Sequence, residues 1–365
     1  MNNNISILAD EAIDLLKELI ATPSYSKEED NTAAAICLFL AQKGLPHFRI
    51  GNNVYAANKH FDPEKPSILL NSHHDTVKPN KGYTLDPFSP AEKDGKLYGL
   101  GSNDAGGALV SLIAAFLYFY EKENLSHNII LAATAEEEIS GSGGIEMLLH
   151  NKAFLSAVEH KGIAWAIVGE PTQMQMAVAE KGLLVLDCVA TGKAGHAARE
   201  EGDNAIYKAI KDINWFSTYR FPKVSDLLGP VKMSVTVVQT ENKAHNVVPS
   251  QSSVVVDIRV NGLYTFEELL AVIQSNVSCE ITPRSLRMRS SSIAVDHQVV
   301  KSGLELGRTY YGSPTTSDKA LMPFPALKIG PGDSARSHTA DEFIFVNEIR
   351  EGVRLYVELL GKAVR

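Results

Sequence analysis

The chain has 365 residues, of which 44% are hydrophobic and 21% charged, so its composition is that of a globular protein long enough for two domains. A formal net charge of −8 argues against a general nucleic-acid binder, which normally carries a basic face. The N-terminal stretch lacks a basic segment before an apolar core, and no window reaches the roughly 18 uninterrupted apolar residues of a membrane span, so we expect a cytoplasmic protein with no nucleic-acid or membrane partner.

The beginning of the chain predicts two helices followed by two short strands. Residues 7–21 place apolar side chains at helical spacing, and a second helix is predicted at about 31–42. Short strands are predicted near 48–50 and 54–57. This order is typical of the entry into an α/β domain.

The segment 67–77, SILLNSHHDTV, predicts a buried strand that ends in two imidazoles and a carboxylate. Residues two apart on a strand point the same way, so His73 and Asp75 share a face while His74 points away. His73 could bind a metal through one ring nitrogen while Asp75 fixes the ring. Open α/β sheets place their chemistry at such strand ends, although this segment alone could equally be a surface loop.

The next informative segment is 97–107, LYGLGSNDAGG. It begins like a dinucleotide-binding glycine pattern, but Asp104 occupies the third glycine position and would repel a pyrophosphate. Asp104 directly precedes a strongly apolar predicted helix at 108–120. A carboxylate in this place could bridge two cations, or it could simply cap the helix.

Two further buried strands, predicted at 128–133 and 163–168, also end in acidic residues. Three glutamates, 136–138, follow the first of them, and Glu170 follows the second. Consecutive glutamates usually mark a solvated helix start, but directly after a core strand they could supply one metal ligand and a neighbouring general base. Three strands that each end in a carboxylate or an imidazole favour a functional site over coincidence.

From residue 183 the composition changes to strands rich in β-branched residues, with helices predicted near 204–215 and 265–274. This pattern indicates a smaller α+β unit at 182–284, inserted between the two parts of the first domain, 1–181 and 285–365.

Other polar motifs lie in the predicted insertion and near the end of the chain. The insertion contains GKAGH at 192–196, AHNVVP at 244–249 and Arg259, which individually would be a turn, a hairpin end and a surface arginine. Residues 329–342, IGPGDSARSHTADE, add His338 with acids close behind it.

Taken together, seven motifs resemble those of the M20 metallopeptidase family. They are NSHHDTV, YGLGSNDAGG, TAEEEISGSGG, IVGEPT, GKAGHAA, HNVVP with DIR, and GPG followed by SHTADE. The resemblance covers the chain from about Leu15 to the C-terminus and is closest to acetylornithine deacetylase-like members. Leu100 and Gly106 stand where many members have arginine and lysine, and Glu136 replaces the usual aspartate, which points to a subgroup.

The resemblance implies an α/β, zinc-peptidase-like catalytic domain with a central mixed sheet flanked by helices, plus an inserted α+β dimerisation or lid domain. It also implies two zinc ions per subunit, for which cobalt could substitute. The five metal ligands would be Asp104 between the ions, His73 and Glu170 at one ion, and Glu138 and His338 at the other.

Three further residues receive catalytic roles from the resemblance. Glu137 would be the general base, and Asp75 would orient His73. His196 would stabilise the oxyanion in the partner subunit's active site, which makes a homodimer the expected assembly. These ligands, with no thiolate among them, suit hydrolysis rather than a structural metal site.

The predicted substrate contacts combine the resemblance with the distribution of cations. They are Asn246, Arg259, Lys193, Arg199, Lys243 and Arg336. This many cations suit a small substrate with a carboxylate, such as an N-acyl amino acid. We therefore predict a dinuclear zinc amidohydrolase of arginine biosynthesis that removes an acyl group from N-acetylornithine, N-acetylcitrulline or N-succinylornithine by metal-activated water.

Several alternatives stay open at this point. Within the family they are a metallo-dipeptidase or aminopeptidase and a succinyl-diaminopimelate desuccinylase, because one extra carboxylate on the substrate needs only one well-placed cation. An alternative of another class is a non-catalytic binding module that keeps the fold without metals. Intact candidates at every ligand position argue against that module.

Overall fold

The computed structural model describes residues 3–158 and 161–364. The chain forms two compact units, each with its own hydrophobic core. Unit 1 comprises the chain up to Val178, Ser292–Tyr311 and the chain from Ser317, and unit 2 comprises Ala179–Ser291 and Gly312–Thr316.

Unit 2 takes in the predicted insertion, 182–284, together with residues from a later part of the chain. Thr316 donates its hydroxyl to the carbonyl of Lys181 at 2.7 Å, and the backbone N–H of Lys181 donates to the carbonyl of Ser313 at 3.1 Å. These bonds attach residues 312–316 to the start of the insertion. The amino-acid composition of residues 312–316 gives no indication that this later segment packs with unit 2.

The elements are numbered in chain order. The helices are α1 (Asn3–Ile20), α2 (Asp30–Gln42), α3 (Gly107–Phe119), α4 (Ile145–His150), α5 (Lys152–Val158), α6 (Ala205–Thr218), α7 (Phe266–Gln274), α8 (Gln298–Glu305) and α9 (Val346–Ala363). The helices predicted from sequence correspond to α1, α2, α3, α6 and α7. Single 3₁₀ or π turns lie at Ser102–Gly106, Glu137–Ile139, Asp318–Leu321 and Ser334–Arg336.

The strands are β1 (Phe48–Ile50), β2 (Asn53–Ala57), β3 (Ser67–His73), β4 (Ala91–Lys93), β5 (Lys96–Tyr98), β6 (Asn128–Thr134), β7 (Ile163–Val168), β8 (Met176–Glu180), β9 (Gly182–Thr191), β10 (Gly195–His196), β11 (Lys232–Gln239), β12 (Val247–Val248), β13 (Gln251–Val260), β14 (Glu280–Pro283), β15 (Ser291–Ser292), β16 (Tyr310–Ser313), β17 (Ala326–Lys328) and β18 (Phe343–Phe345).

The central sheet of unit 1 is mixed, as predicted. Its strands follow the order β1-β2-β6-β3-β7-β17-β8, in which β3 pairs in parallel with β6 and β7 while β2 runs antiparallel to β6. In the register, His73 lies opposite Thr134 and Asn71 lies opposite Val168. The carboxyl ends of β3, β6 and β7 therefore meet at one edge of the sheet.

Helix α3 forms the centre of the unit 1 core. It contacts α1 and α9, and its side chains are buried along almost its whole length, which explains why it is apolar all round rather than on one face. The stretch Ser102–Phe119 is long and apolar enough by composition to cross a membrane, but 83% of it is buried inside the fold, as expected of a core helix.

Unit 2 is an α+β sandwich built on the antiparallel sheet β11-β13-β9-β14. Burial alternates along β9 and β13, so one face of the sheet carries the core. Phe216 of α6 and Leu269 of α7 belong to that core. A capping box, in which Thr265 and Glu268 satisfy each other's backbone N–H, begins α7.

Candidate metal centre

The candidate metal centre lies in unit 1, at the edge where β3, β6 and β7 end. His73 is the last residue of β3, the turn Glu137–Ile139 follows β6, and Glu170 follows β7. Two loops complete the centre, since Asp104 lies in the single turn before α3 and His338 lies in the loop before β18. Tertiary pairing thus brings together side chains that are far apart along the chain.

Five of the predicted site residues form two overlapping groups of potential metal ligands. One group contains His73, Asp104 and Glu170, and the other contains Asp104, Glu138 and His338. Within each group the ligand atoms lie within 4.8 Å of one another. Among the residues that the structure describes, Asp104 alone belongs to both groups, so its carboxylate is placed to serve two neighbouring cations.

The environment of His73 tests whether a metal would fit. Its Nδ1 lies 3.0 Å from the carbonyl oxygen of Asp75 and 3.4 Å from the Asp75 carboxylate, which fixes the ring. Its Nε2 is buried without a hydrogen-bond partner and faces Asp104 at 3.4 Å and Glu170 at 3.9 Å. A buried ring nitrogen without a partner, aimed at carboxylates while the other nitrogen is held by an oxygen, fits a metal ligand.

Repulsion among the buried carboxylates supports the same conclusion. Burial and the nearby charge of Glu170 raise the pKa of Glu137 well above its usual range, and burial raises the pKa of Glu170 to about 8. Burial also raises the pKa of Glu138, whereas the hydrogen bond with Glu138 raises the pKa of His338 to about 9. Divalent cations at this place would offset the repulsion, and imidazole and carboxylate ligands suit them.

Glu137 differs from its neighbour Glu138 in what it faces. Glu138 Oε2 lies 3.0 Å from His338 Nε2, inside the second ligand group. Glu137 belongs to neither group, although its Oε2 lies 3.9 Å from His73 Nε2. A carboxylate that borders a metal centre without belonging to a ligand group has the position expected of a general base.

Asp75 connects the histidine to the glutamate turn. Its two carboxylate oxygens accept the backbone N–H groups of Glu137 at 3.0 Å and Glu138 at 3.1 Å. Ser26 donates its hydroxyl to the same carboxylate at 2.7 Å. Asp75 therefore holds the backbone of the two glutamates in addition to the ring of His73.

Sequence reasoning missed several polar residues that surround the centre. Glu29 accepts the backbone N–H of Glu136 at 3.2 Å, so a second carboxylate holds the same turn. Asp318, whose pKa burial raises to about 6, accepts hydrogen bonds from Asn71 at 3.0 Å and Thr134 at 2.9 Å. Glu29 lies in the acidic run 28–30 and Asp318 in a loop-like stretch, and only the fold shows that both side chains are buried.

Glu342 is a third such residue, although it lies in the SHTADE motif. Burial raises its pKa to about 7, and its carboxylate accepts the backbone N–H groups of Gly101, Asn103 and Asp104. Its position close behind His338 was the one indication in the sequence that Glu342 belongs to the site, but the motif predicts a role only for the histidine.

The predicted oxyanion donor lies in unit 2. His196 is exposed and pairs with Val247 where β10 meets β12, and its Nδ1 accepts the backbone N–H of Ala198 at 3.1 Å. The carbonyl of Asn246 accepts the backbone N–H of Ala197 at 2.9 Å. The GKAGH and HNVVP motifs therefore come together within unit 2.

Two of the predicted substrate cations of unit 2 have acidic partners within their own unit. Arg259 pairs with Asp257 through two hydrogen bonds of 2.8 and 3.0 Å. Arg199 lies 3.8 Å from Glu201 on an exposed loop. Their roles as substrate contacts stay predictions.

Two more predicted contacts are defined mainly by their local structure. Lys193 exchanges backbone hydrogen bonds of 2.8 and 2.9 Å with Asp203 in unit 2. Arg336, in unit 1, forms two hydrogen bonds of 2.7 and 3.0 Å with Glu348 and stacks on the ring of Phe343. Because its charge is balanced and its plane is covered, Arg336 suits a structural role better than substrate binding.

A mixed α/β sheet with two overlapping groups of histidine and carboxylate ligands at its carboxyl edge is the arrangement of a metal-dependent hydrolase. A sequence model of the peptidase family M20/M25/M40 matches residues 69–362, and the chain belongs to this family. Peptidases hydrolyse linear amide bonds, so the predicted enzyme class is confirmed. Membership of the family also confirms the predicted fold class, and it does not support the non-catalytic binding module.

Individual relatives agree along nearly the whole chain. A succinyl-diaminopimelate desuccinylase of Wolbachia pipientis subsp. Culex pipiens (strain wPip) is 25% identical over 373 residues, covering 95% of this chain and 92% of that protein. An acetylornithine deacetylase of Proteus mirabilis (strain HI4320) is 29% identical over 379 residues, covering 93% and 94%.

Solved structures show the same fold. An M20 family metallo-carboxypeptidase from Sulfolobus solfataricus superposes with a TM-score of 0.76 at 17% identity, covering 96% of this chain and 99% of that one. The YxeP protein of Bacillus subtilis, described as a dinuclear metal binding peptidase, gives a TM-score of 0.71 at 16% identity, covering 98% and 99%.

The two adjacent histidines should respond differently to removal. His73→Ala should lose metal, because Nε2 faces two potential ligands, whereas His74→Ala should keep it, because the ring of His74 is bonded to Thr32 and to the Asn52 carbonyl, both at 2.9 Å. The measurement is metal content per folded chain after dialysis. Equal loss in both variants would contradict this geometry.

Proposed function

We propose that this protein is a dinuclear zinc amidohydrolase that removes the acyl group from a small N-acyl amino acid. The observation that carries the proposal is Asp104, whose carboxylate is shared by two groups of three potential ligands. Zinc is proposed because tetrahedral zinc accepts imidazole and carboxylate ligands and keeps a position open in hydrolases, and cobalt could replace it. Two bound ions would lower the pKa of water and polarise the amide carbonyl.

The residues of the chain divide the remaining work between them. We assign His73 and Glu170 to one ion, Glu138 and His338 to the other, and Asp104 to both. Glu137, held beside the centre but outside both groups, would take the proton from the attacking water and pass it to the leaving nitrogen.

The first candidate substrate is an N-succinyl amino acid of the succinyl-diaminopimelate type. Relatives named succinyl-diaminopimelate desuccinylase match 95% of the chain, which favours this alternative over the predicted substrates of arginine biosynthesis. An N-acetylornithine type substrate is the second candidate, because the acetylornithine deacetylase of Proteus mirabilis is 29% identical. Both substrates carry free carboxylates, which the predicted substrate cations, such as Lys193 and Arg199, would bind.

A homodimer in which His196 acts in the partner's active site is also part of the proposal. His196 is exposed on unit 2 and is free to meet a second molecule. On the same unit, Tyr207 and Ile210 of α6 are 68% and 53% exposed, and Val238 is exposed on β11, an edge strand of the sheet. An unpaired edge with apolar neighbours is a natural surface for pairing with a second copy.

The substrate proposal can be tested with a panel of amides. The purified protein, loaded with zinc, should release free amine from one or more of N-succinyl and N-acetyl diaminopimelate, ornithine, citrulline and lysine, and should contain about two zinc ions per chain. N-succinyl-diaminopimelate should give the highest kcat/KM. A preference for unmodified dipeptides would favour a peptidase instead. If the protein holds no metal after exposure to excess zinc and removal of the unbound ions, the proposed centre is refuted.

The two central glutamates should separate catalysis from metal binding. Glu137→Ala should keep both metals and lose turnover by about a hundredfold to ten-thousandfold, the usual contribution of a general base. Glu138→Ala should lose metal, since its carboxylate belongs to the second ligand group. Metal content and kcat, measured on both variants, decide between them, and the opposite pattern would exchange their roles.

The role of His196 can be tested by mixing subunits. His196→Ala should keep its zinc but lose kcat by about a hundredfold to a thousandfold, as expected when one oxyanion donor is removed. Mixed with Glu137→Ala, it should regain activity, because one of the two shared sites in each mixed dimer would hold both residues. Confirmed subunit exchange without recovery would show that His196 acts within its own chain.

A further inference from the structure

The carboxylate of Glu342 lies against the backbone of the turn that carries Asp104. One oxygen, Oε1, accepts the N–H groups of Asn103 and Asp104, both at 2.9 Å, and Oε2 accepts the N–H of Gly101 at 3.1 Å. Glu342 is only 2% exposed. Within residues 3–158 and 161–364 its carboxylate forms no ion pair, so these backbone groups are its principal hydrogen-bond donors.

Strand pairing brings Glu342 to this place. It directly precedes β18, which pairs antiparallel with β5 so that Phe343 lies opposite Tyr98. The backbone N–H of Gly99 donates to the carbonyl of Glu342 at 3.0 Å and extends this ladder by one step. The turn that follows β5 and the residue that precedes β18 are therefore neighbours, although they are separated by 238 positions from Asp104 to Glu342.

The turn needs outside support because it is not regular helix. Gly101 has a φ of 74°, and Asp104 has a φ of −118° and a ψ of 99°, far from helical values. The N–H groups of such a turn do not all find partners within the turn itself. On its other side the turn is fixed by Asn103, whose side chain donates to the Asp333 carbonyl at 3.0 Å and accepts the Asp333 N–H at 2.9 Å.

We propose that Glu342 is a positioning residue for Asp104: by accepting three backbone N–H groups, it fixes the turn in the one conformation that lets the Asp104 carboxylate serve both ligand groups. This inference rests on the proposed dinuclear function. Glu342 does not touch a metal in this proposal; it acts through the backbone of a residue that does. Because Asp104 is shared, loss of Glu342 should weaken both metal-binding steps together.

The test is Glu342→Gln, which keeps the size of the side chain but replaces one accepting oxygen with an amide nitrogen that cannot accept the N–H of Gly101. We expect a folded protein whose two zinc dissociation constants both rise by about tenfold to a hundredfold, the usual effect of residues that orient a ligand. Competition with a chromophoric chelator measures both constants, and kcat and KM at saturating zinc should show a lower kcat with little change in KM.

Asp212→Asn is the matched control. Asp212 is also a buried carboxylate that accepts two backbone N–H groups, from Ser278 at 3.0 Å and Cys279 at 2.9 Å, but it lies in unit 2. It should lower the melting temperature as Glu342→Gln does while leaving zinc affinity unchanged. Equal zinc affinity in the two variants would overturn the inference.

The remaining outcomes also decide the question. If the wild-type protein binds no zinc, the proposed function itself fails; if it binds two ions and Glu342→Gln binds them equally well, only the role of Glu342 fails. Should Glu342→Gln not fold, Glu342→Asp keeps both oxygens on a shorter arm and should fold with weakened zinc binding. If neither variant folds, Glu342 supports the whole of unit 1 rather than one turn, and the inference is wrong.

Discussion

The burial of several carboxylates at one edge of the sheet is the constraint on which the candidate metal centre of unit 1 depends. Asp104, Glu137 and Glu170 lie within 3.9 Å of the Nε2 atom of His73, while Glu138 lies beside His338. Burial is the main cause of the raised pKa values of the three glutamates, and the charges of neighbouring carboxylates add to it. Two unit charges 4 Å apart repel by about 4 kcal/mol near a protein surface. The parallel pairing of β3 with β6 and β7 fixes the strand ends from which these side chains extend.

Carboxylates around the centre hold the ligand turns largely by their backbone N–H groups. Glu136 and Ser140, which flank the glutamate turn, have left-handed backbone conformations with φ values of 55° and 50°. Conformations of this kind persist where surrounding contacts fix them. Here Asp75 and Glu29 fix the turn by accepting its N–H groups, which leaves the carboxylates of Glu137 and Glu138 free to face the centre.

Much of this arrangement could be predicted from local sequence. The strand that ends at His73, the apolar helix after Asp104 and the two-residue spacing of His73 and Asp75 follow from periodicity, and the motif resemblance supplied the remaining candidate ligands. The supporting contacts could not be predicted, because they join segments far apart in the chain. The pairing of Arg336 with Glu348 balances the charge of a predicted substrate contact, and it likewise depends on where α9 begins.

The position of His338 and Glu342 near the end of the chain has a consequence for how the protein matures. His73, Asp104, Glu138 and Glu170 are all made before unit 2, but His338, which completes the second ligand group, and Glu342, which holds the Asp104 turn, are made only after it. Domains generally fold as they emerge from the ribosome, N-terminal parts first. On the nascent chain, the carboxylates of the candidate centre are therefore present without His338 and Glu342 throughout the synthesis of unit 2. A ribosome that stops before residue 338 would release a protein with only the first ligand group complete and with the Asp104 turn unsupported.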